Sequence, residues 1–180
     1  MTITNKLRER KGSIFPLTIA IVLTLFIIFA GISEYLRLKL IVSGIEEAIQ
    51  SAVISLSIEN YDNIYSSSRD DYSGGYKYID DKDRWEEKLH TEDVFNKLDE
   101  LLDLRIEEDS HVKVIEGEYE YKLSDLDVNI INTPFAPNSN GDVFEADSFI
   151  SLEVPLSFGW DHLPPLKIRL KVKSEYMAKF

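Results

Sequence analysis

The stretch KGSIFPLTIAIVLTLFIIFAGISEYLRLKL, from Lys11 to Leu40, decides how the rest of the chain is interpreted. It contains no charged residue between Lys11 and Glu34. A helix needs about 20 such residues to cross the hydrocarbon core of a bilayer, which is about 30 Å thick. The segment is also longer than the apolar core of about 7–15 residues that signal peptides use. The sequence therefore predicts a retained transmembrane helix over residues 13–33.

The charges before this helix predict its orientation. Four basic residues and one acidic residue precede the span: Lys6, Arg8, Arg10, Lys11 and Glu9. Cytoplasmic segments next to a span carry an excess of Lys and Arg, so residues 1–12 are predicted to form a cytoplasmic basic leader. The protein is then a single-pass protein of the cell membrane, with an extracytoplasmic C-terminal domain.

The helix is predicted to continue beyond the membrane as an amphipathic stalk over residues 34–58. Glu34 and Arg37 lie three positions apart and can form an ion pair. Gly31 and Gly44 are the points at which such a rod could bend. Apolar residues recur at steps of three and four, which places them on one helix face that other parts of the protein must cover. These residues are Leu38, Ile41, Ile45, Ala48, Ala52 and Leu56.

The remaining residues, 59–180, form an acidic extracytoplasmic domain. Residues 1–58 hold six of the 20 basic groups and four of the 32 acidic groups, which leaves the domain with a net charge near −14. This charge repels nucleic-acid phosphates and argues against a nucleic-acid partner. It also argues against a domain that lies flat on anionic lipid. The chain has no cysteine, so the domain must be stabilised by its core rather than by disulfides.

The first part of this domain is predicted to contain a connection and a helix. Residues 60–83 are rich in Tyr, Ser, Asp and Gly and predict an irregular connection with a short strand at Tyr76–Ile79. The alternative for residues 60–83 is an aromatic contact surface for a partner. Arg84–Leu104 predicts a helix in one or two pieces, with Thr91 as an N-cap. Its apolar face is predicted to cover the stalk and consists of Phe95, Leu98, Leu101 and Leu102.

The second part of the domain is predicted to be an antiparallel meander. Pro134–Asp147 is predicted to be a hairpin loop because it is rich in Pro, Asn and Gly. The last strand carries Lys or Arg at its outward positions, which can pair with acidic groups and protect an edge. Four segments alternate between apolar and polar residues: Val112–Tyr121, Leu126–Ile130, Phe149–Phe158 and Leu166–Tyr176.

These elements together predict an α+β fold. A long N-terminal transmembrane and stalk helix packs on a small antiparallel β-sheet domain with one further helix. The chemistry-bearing residues show no catalytic or metal-binding pattern. His90, His111 and His162 lie at no metal-ligand spacing and are predicted to be surface or incidental residues. The sequence contains no calcium-loop order, nucleophile elbow or phosphate-binding glycine loop. We therefore predict that the protein is not an enzyme and has no cofactor.

The order of a basic leader, a glycine, an apolar helix, an amphipathic continuation and a small β-rich domain resembles the plan of type IV pilin-like subunits. The stretch Gly31-Ile32-Ser33-Glu34-Tyr35-Leu36-Arg37, followed by Ile45-Glu46-Glu47-Ala48, resembles the TadE-like minor pseudopilins of tight-adherence (Tad) pilus systems. The resemblance covers about residues 10–57. It implies a pilin-like fold and a structural role in a Tad or type IV pilus-like assembly or secretion apparatus at the cell surface.

The resemblance also implies specific residues and partners. A prepilin peptidase would cut after Gly12 and leave Ser13 as the new N-terminus. The partners would be the membrane, the peptidase, and other pilin-like subunits or assembly-platform proteins. The residues implied in helix packing and assembly are Gly31, Glu34, Tyr35, Arg37, Ile41, Ile45, Ala48 and Ala52.

One position departs from the pattern of the family. The family usually has a glutamate five residues after the cut, and here that position is Leu17. The departure favours a low-copy or membrane-retained component over a major pilin. The alternative is a single-span membrane protein, unrelated to pili, whose extracytoplasmic domain binds a ligand or another protein.

Overall fold

The first element of the protein is one long helix. The computed structural model describes residues 14–58, 76–79, 84–87, 89–133, 143–157 and 163–177. Helix α1 (Ile14–Ile58) has 45 residues and passes through Gly31 and Gly44 without interruption. At 1.5 Å per residue its length is about 68 Å. The predicted membrane segment and the predicted stalk are therefore one continuous rod.

The other described residues form a hairpin, a short helix and a five-stranded sheet. The hairpin strands β1 and β2 pair antiparallel with each other, and strands β3 to β7 form one antiparallel sheet in chain order. The predicted α+β fold class, with a long N-terminal helix packed on an antiparallel sheet, is confirmed. The elements after α1 are β1 (Tyr76–Ile79), β2 (Arg84–Glu87), α2 (Thr91–Leu102), β3 (Arg105–Glu107), β4 (Ser110–Ile115), β5 (Glu118–Asn132), β6 (Val143–Val154) and β7 (Leu166–Met177).

The predicted helix over Arg84–Leu104 is correct only for its second piece. The residues of β2 pair with β1, so the helix prediction is wrong there, whereas the predicted strand at β1 is confirmed. The four residues of β2 are too few for their periodicity to distinguish a helix from a strand. Their hydrogen bonding to β1 makes them a strand. Thr91 is the first helical residue rather than the N-cap. His90 occupies the N-cap position, and its carbonyl accepts bonds from the N–H groups of Asp93 and Val94.

Two strand boundaries differ from the prediction because of turn chemistry. Val112–Tyr121, predicted as one strand, is divided by a tight turn at Glu116 and Gly117. Both turn residues have positive φ (53° and 90°), as a two-residue hairpin loop with matching twist requires. Strand β5 then continues through Asp125 (φ 51°), where the pairing with β6 shifts at a β-bulge. The bulge keeps the apolar side chains on one face on both sides of it.

The meander itself is confirmed, but it has five strands rather than four. Strand β3 was not predicted because three residues show no alternation that a sequence can reveal. Strand β6 begins at Val143, so Val143–Asp147 belongs to a strand and not to the predicted hairpin loop. Phe158, Pro134–Asp142 and most of residues 60–83 lie outside the described residues.

The core lies between the inner face of the sheet and the two helices. Every second side chain of β6 is buried, from Phe144 to Val154. Helix α1 adds Ile45 and Ile49 to the same cluster, and α2 adds Leu98. Because complete burial of one such side chain contributes about 1.5–3 kcal/mol, the upper half of α1 is an integral part of the domain. The predicted covering of the stalk by α2 is confirmed, although Leu101 is exposed.

The outer face of the sheet carries paired charges. Three lysines of β7 form ion pairs with acids of β6, at N–O distances from 2.8 to 3.4 Å. These pairs are Lys167–Glu153, Lys171–Asp147 and Lys173–Glu145. Strand β7 lies at the edge of the sheet. The predicted charge pairing is confirmed, and the edge position is one that the lysines of this strand can protect.

Candidate functional site at the junction of helix and domain

The lower half of α1 is apolar and exposed. All side chains from Phe15 to Phe29 are exposed, and most of them are Ile, Leu, Val or Phe. Among the described residues, α1 is the one helix that is long and apolar enough to cross a membrane. The core helix of a soluble protein would be covered by other elements, whereas the most apolar part of α1 has no cover. The helix therefore fits a membrane anchor.

Directly above this apolar half, α1 is fastened to the chain that follows β6. The Nη2 of Arg37 donates a hydrogen bond to Glu34 Oε1 at 2.9 Å and another to the carbonyl oxygen of Pro155 at 2.6 Å. The backbone N–H of Ser157 donates to the same Glu34 oxygen at 3.3 Å. We name Glu34, Arg37, Pro155 and Ser157 the junction clasp. The predicted Glu34–Arg37 ion pair is confirmed.

The charged side chains of the junction clasp are largely shielded from solvent, and they stabilise each other. The side chain of Glu34 is 14% exposed and that of Arg37 is 30% exposed. Burial alone would raise the pKa of Glu34. Hydrogen bonds from Arg37 and Ser157, together with the positive charge of Arg37, outweigh this effect and hold the pKa below its ordinary value. The carboxylate is thus stabilised in its ionised form at the point where the helix meets the domain.

A second tie joins the upper part of α1 to the edge strand. The side-chain amide of Gln50 donates a hydrogen bond to the carbonyl oxygen of Lys173 in β7 at 3.1 Å. Between this bond and the junction clasp, the buried face of α1 packs on the sheet. The helix is therefore held at two separate heights. Sequence reasoning missed Gln50 because a polar residue on an exposed helix face gives no sign of a partner 123 residues away.

A third set of contacts holds α2 against β4. The Nδ1 of His111 lies 2.6 Å from Asp99 Oδ1, and the ring of His111 stacks on Phe95 with centroids 4.0 Å apart. The ammonium group of Lys113 donates to the carbonyl oxygen of Leu102 at 2.7 Å, where a cation suits a helix C-terminus. His111, predicted to be a surface or incidental residue, is half-buried and takes part in packing. Within the described residues, no group of His, Asp and Glu could hold a metal ion.

The structure separates the residues implied in helix packing into three sets, one of which, Glu34 and Arg37, belongs to the junction clasp. Ile41, Ile45, Ala48 and Ala52 are buried against the domain of the same chain. Gly31 and Tyr35 are exposed, and a Cβ placed on Gly31 would meet nothing within 4 Å. Gly12 and Ser13 lie outside the described residues. A role of any of these residues in assembly with other proteins stays a prediction.

Comparisons of the chain with protein-family models, with curated proteins and with solved structures found no match. The class that the structure supports is an α+β domain built around the upper half of one helix, whose lower half fits a membrane anchor.

Proposed function

We propose that this protein is a TadE-like pseudopilin, a membrane-anchored structural component of a Tad or type IV pilus-like assembly or secretion apparatus. The observation that carries the proposal is that the two halves of α1 lie in different environments. The lower half of this helix is exposed and apolar, and the upper half lies in the core of the domain. A subunit of this kind holds its domain at a fixed position above the membrane.

The charges around the helix support an orientation with the N-terminus in the cytoplasm. Residues 1–12 carry an excess of basic groups, whereas residues 59–180 are strongly acidic. Basic flanks are retained on the cytoplasmic side. In this proposal the sheet domain is extracytoplasmic and the cell membrane is the site of anchoring.

The exposed surface of α1 supports a role in contact with other subunits. The Cβ position of Gly31 is open, so a neighbouring helix could approach the backbone closely there, as small residues allow in membranes. The proposed partners are other pilin-like subunits or assembly-platform proteins. The buried stripe from Ile41 to Ala52 would support assembly indirectly, by fixing the domain on the helix.

The intact mass of the full-length protein tests this proposal. The protein is expressed in its native host, extracted from the membrane and weighed by mass spectrometry, with a host lacking prepilin peptidase and a Gly12→Leu variant as controls. We expect a mass that begins at Ser13 in the first sample and the unprocessed mass in both controls. A mass that begins at Met1 or Thr2 in all three samples would contradict the processing that the proposal requires.

A second candidate function is that of a single-span membrane protein whose domain binds a ligand or another protein. The outer face of the sheet favours it, because Arg169 and Lys171 approach the ring of Phe149 to 5.7 and 5.5 Å. Arg169 lies opposite Ser151 rather than an acid. An unprocessed N-terminus would make this function the first candidate.

A further inference from the structure

We propose that the membrane interface crosses α1 obliquely, so that it covers Ile32, Leu36 and Leu40 on the face turned away from the sheet. This inference rests on the proposed membrane anchoring and adds to it a surface and its occupant, the lipid interface. The helix leans toward this face, and the sheet domain lies on the opposite, upper side.

An exposed apolar stripe continues beyond the end of the predicted span. Phe29, Ile32, Leu36 and Leu40 follow one another at steps of three, four and four, which keeps them on one face of the helix. Leu36 is 51% exposed and Leu40 is 74% exposed, although both follow Glu34, the first charged residue after the apolar segment. We name these four residues the lean stripe. Its upper half extends beyond the level of Glu34 and is not covered by the domain.

The opposite side of the helix becomes polar earlier. Glu34 lies about 160° around the helix from Leu36, and it faces the chain after β6 as part of the junction clasp. An ionised carboxylate is costly in hydrocarbon, so the lipid must end below Glu34 on this side. On the other side the apolar surface reaches Leu40, which is six residues or about 9 Å higher along the axis. A boundary at two different heights corresponds to a tilted helix, within the range of about 0–40° that spans adopt.

The residues around the lean stripe fit the interfacial layer. Tyr35 is 65% exposed, and Lys39 is exposed beside Leu36 and Leu40. Tyrosine is enriched at membrane interfaces, and lysine extends its ammonium group toward lipid headgroups. Above Leu40 the exposed face turns polar, with Ser43, Glu47 and Ser51. The apolar surface of this face therefore ends at Leu40, and the face above it is suited to water.

Lipid explains the lean stripe better than a second helix does. The stripe continues without a gap from the exposed apolar surface of the membrane segment. Its members are large, whereas contacts between helices in membranes favour Gly, Ala and Ser. Because the acidic domain lies on the upper side of the tilted helix, the tilt turns it away from the bilayer. This orientation reduces the repulsion between the domain and anionic lipid.

Spin labels on single cysteines test the inference in the full-length protein reconstituted into phosphatidylcholine vesicles. The chain has no cysteine, so each introduced thiol is the only labelling site. The labelled variants are Phe26→Cys as the lipid reference, Leu40→Cys as the test, and Ser51→Cys as the water reference. Leu36→Cys is a second test in case Leu40→Cys does not fold. Collision rates with oxygen, which concentrates in lipid, and with a water-soluble nickel complex are measured for each label.

We expect the ratio of oxygen to nickel collisions at Leu40 to lie well above the ratio at Ser51 and below that at Phe26, as an interfacial position requires. A ratio at Leu40 equal to that at Ser51, with Phe26 in lipid, would overturn the oblique boundary and leave the membrane anchor intact. Protection of Leu40 from both reagents would also overturn it, since a protein would then occupy the stripe. Exposure of Phe26 to water would instead contradict the membrane anchor itself.

Discussion

Arg37 is the residue at which the lower half of α1 meets the domain. Its guanidinium group bonds to Glu34 one turn below and to the carbonyl oxygen of Pro155, which is 118 residues away in the sequence. Its Nε is buried and has no partner among the described residues, so the desolvation of the guanidinium group is only partly compensated. The contribution of Arg37 therefore depends on the two bonds of its Nη2.

We expect Arg37→Gln to lower the free energy of unfolding of the domain by about 1–3 kcal/mol, because the carboxylate of Glu34 would lose its charged partner in a shielded position. The measurement is urea unfolding in detergent micelles, combined with hydrogen exchange at the amide of Ser157. The matched control is Lys39→Gln, which removes an exposed cation from the same helix. Equal stability of the two variants would show that the junction clasp does not hold the domain.

We expect Tyr121 to make the domain sensitive to alkaline pH. Its side chain is buried on the inner side of β5, and burial, with a smaller effect of the negative charge of Glu120, raises its pKa to about 12. An unfolded tyrosine has a pKa of about 10, so the folded state is favoured below pH 10 and loses this contribution as pH rises toward 12.

We therefore expect Tyr121 to ionise near pH 12 in a titration followed by absorbance at 295 nm, and we expect Tyr121→Phe to remove that component. The stability difference between wild type and Tyr121→Phe should also change between pH 9 and pH 11. If the variant lost signal only in the ordinary tyrosine range, Tyr121 would not be the shielded group.

Some of the candidate site could be predicted from the sequence at this scale, and some could not. The Glu34–Arg37 pair follows from a spacing of three on a helix, which is a local rule. Pro155 and Ser157 carry no such signal, because they lie in a connection after β6 and contribute a backbone carbonyl and a backbone N–H to the clasp. His111 was misjudged for a related reason, since its partners Asp99 and Phe95 come from another element.

At the scale of the element, α1 combines two environments in one helix. Below Glu34 its surface is exposed on all sides, and above Arg37 one face belongs to the core. The periodicity of this face predicted the burial of Ile41 and Ile45 correctly, because steps of three and four indicate a covered side of a helix. The strand boundaries were less predictable, because the Glu116–Gly117 turn and the Asp125 bulge depend on backbone conformation that alternation does not show.

We expect Ile45→Asp to prevent stable packing of the domain on α1, because a carboxylate without a partner would replace a side chain that is 1% exposed. Such a burial costs several kcal/mol. The matched control is Ser43→Asp, which introduces the same group at an exposed position two residues earlier. Loss of near-ultraviolet circular dichroism should occur in the first variant only. Similar spectra for both variants would refute the structural role of the buried face.

At the scale of the whole molecule, the helix and the domain form one body. The junction clasp, the buried face of α1 and the bond from Gln50 to β7 hold the helix at successive heights. The overall arrangement was predictable because each part has its own sequence pattern. The lower half of α1 is a long apolar segment, its upper half has apolar residues at steps of three and four, and the strands alternate between apolar and polar residues. The proposed oblique membrane boundary was not predictable from these periods, since it depends on which side of the helix the domain occupies.

We propose that one unbroken helix connects the membrane to the domain, and the distance between two spin labels on α1 distinguishes this arrangement from a jointed one. Labels at Phe26→Cys and Ser51→Cys in the full-length protein enclose both Gly31 and Gly44. The chain has no other thiol, so the dipolar coupling reports this one pair. In vesicles a continuous helix predicts a narrow distribution centred near 38 Å, about 1.5 Å for each residue of separation. A broad distribution, or a clearly shorter distance, would mean that the rod breaks and that anchor and domain move independently.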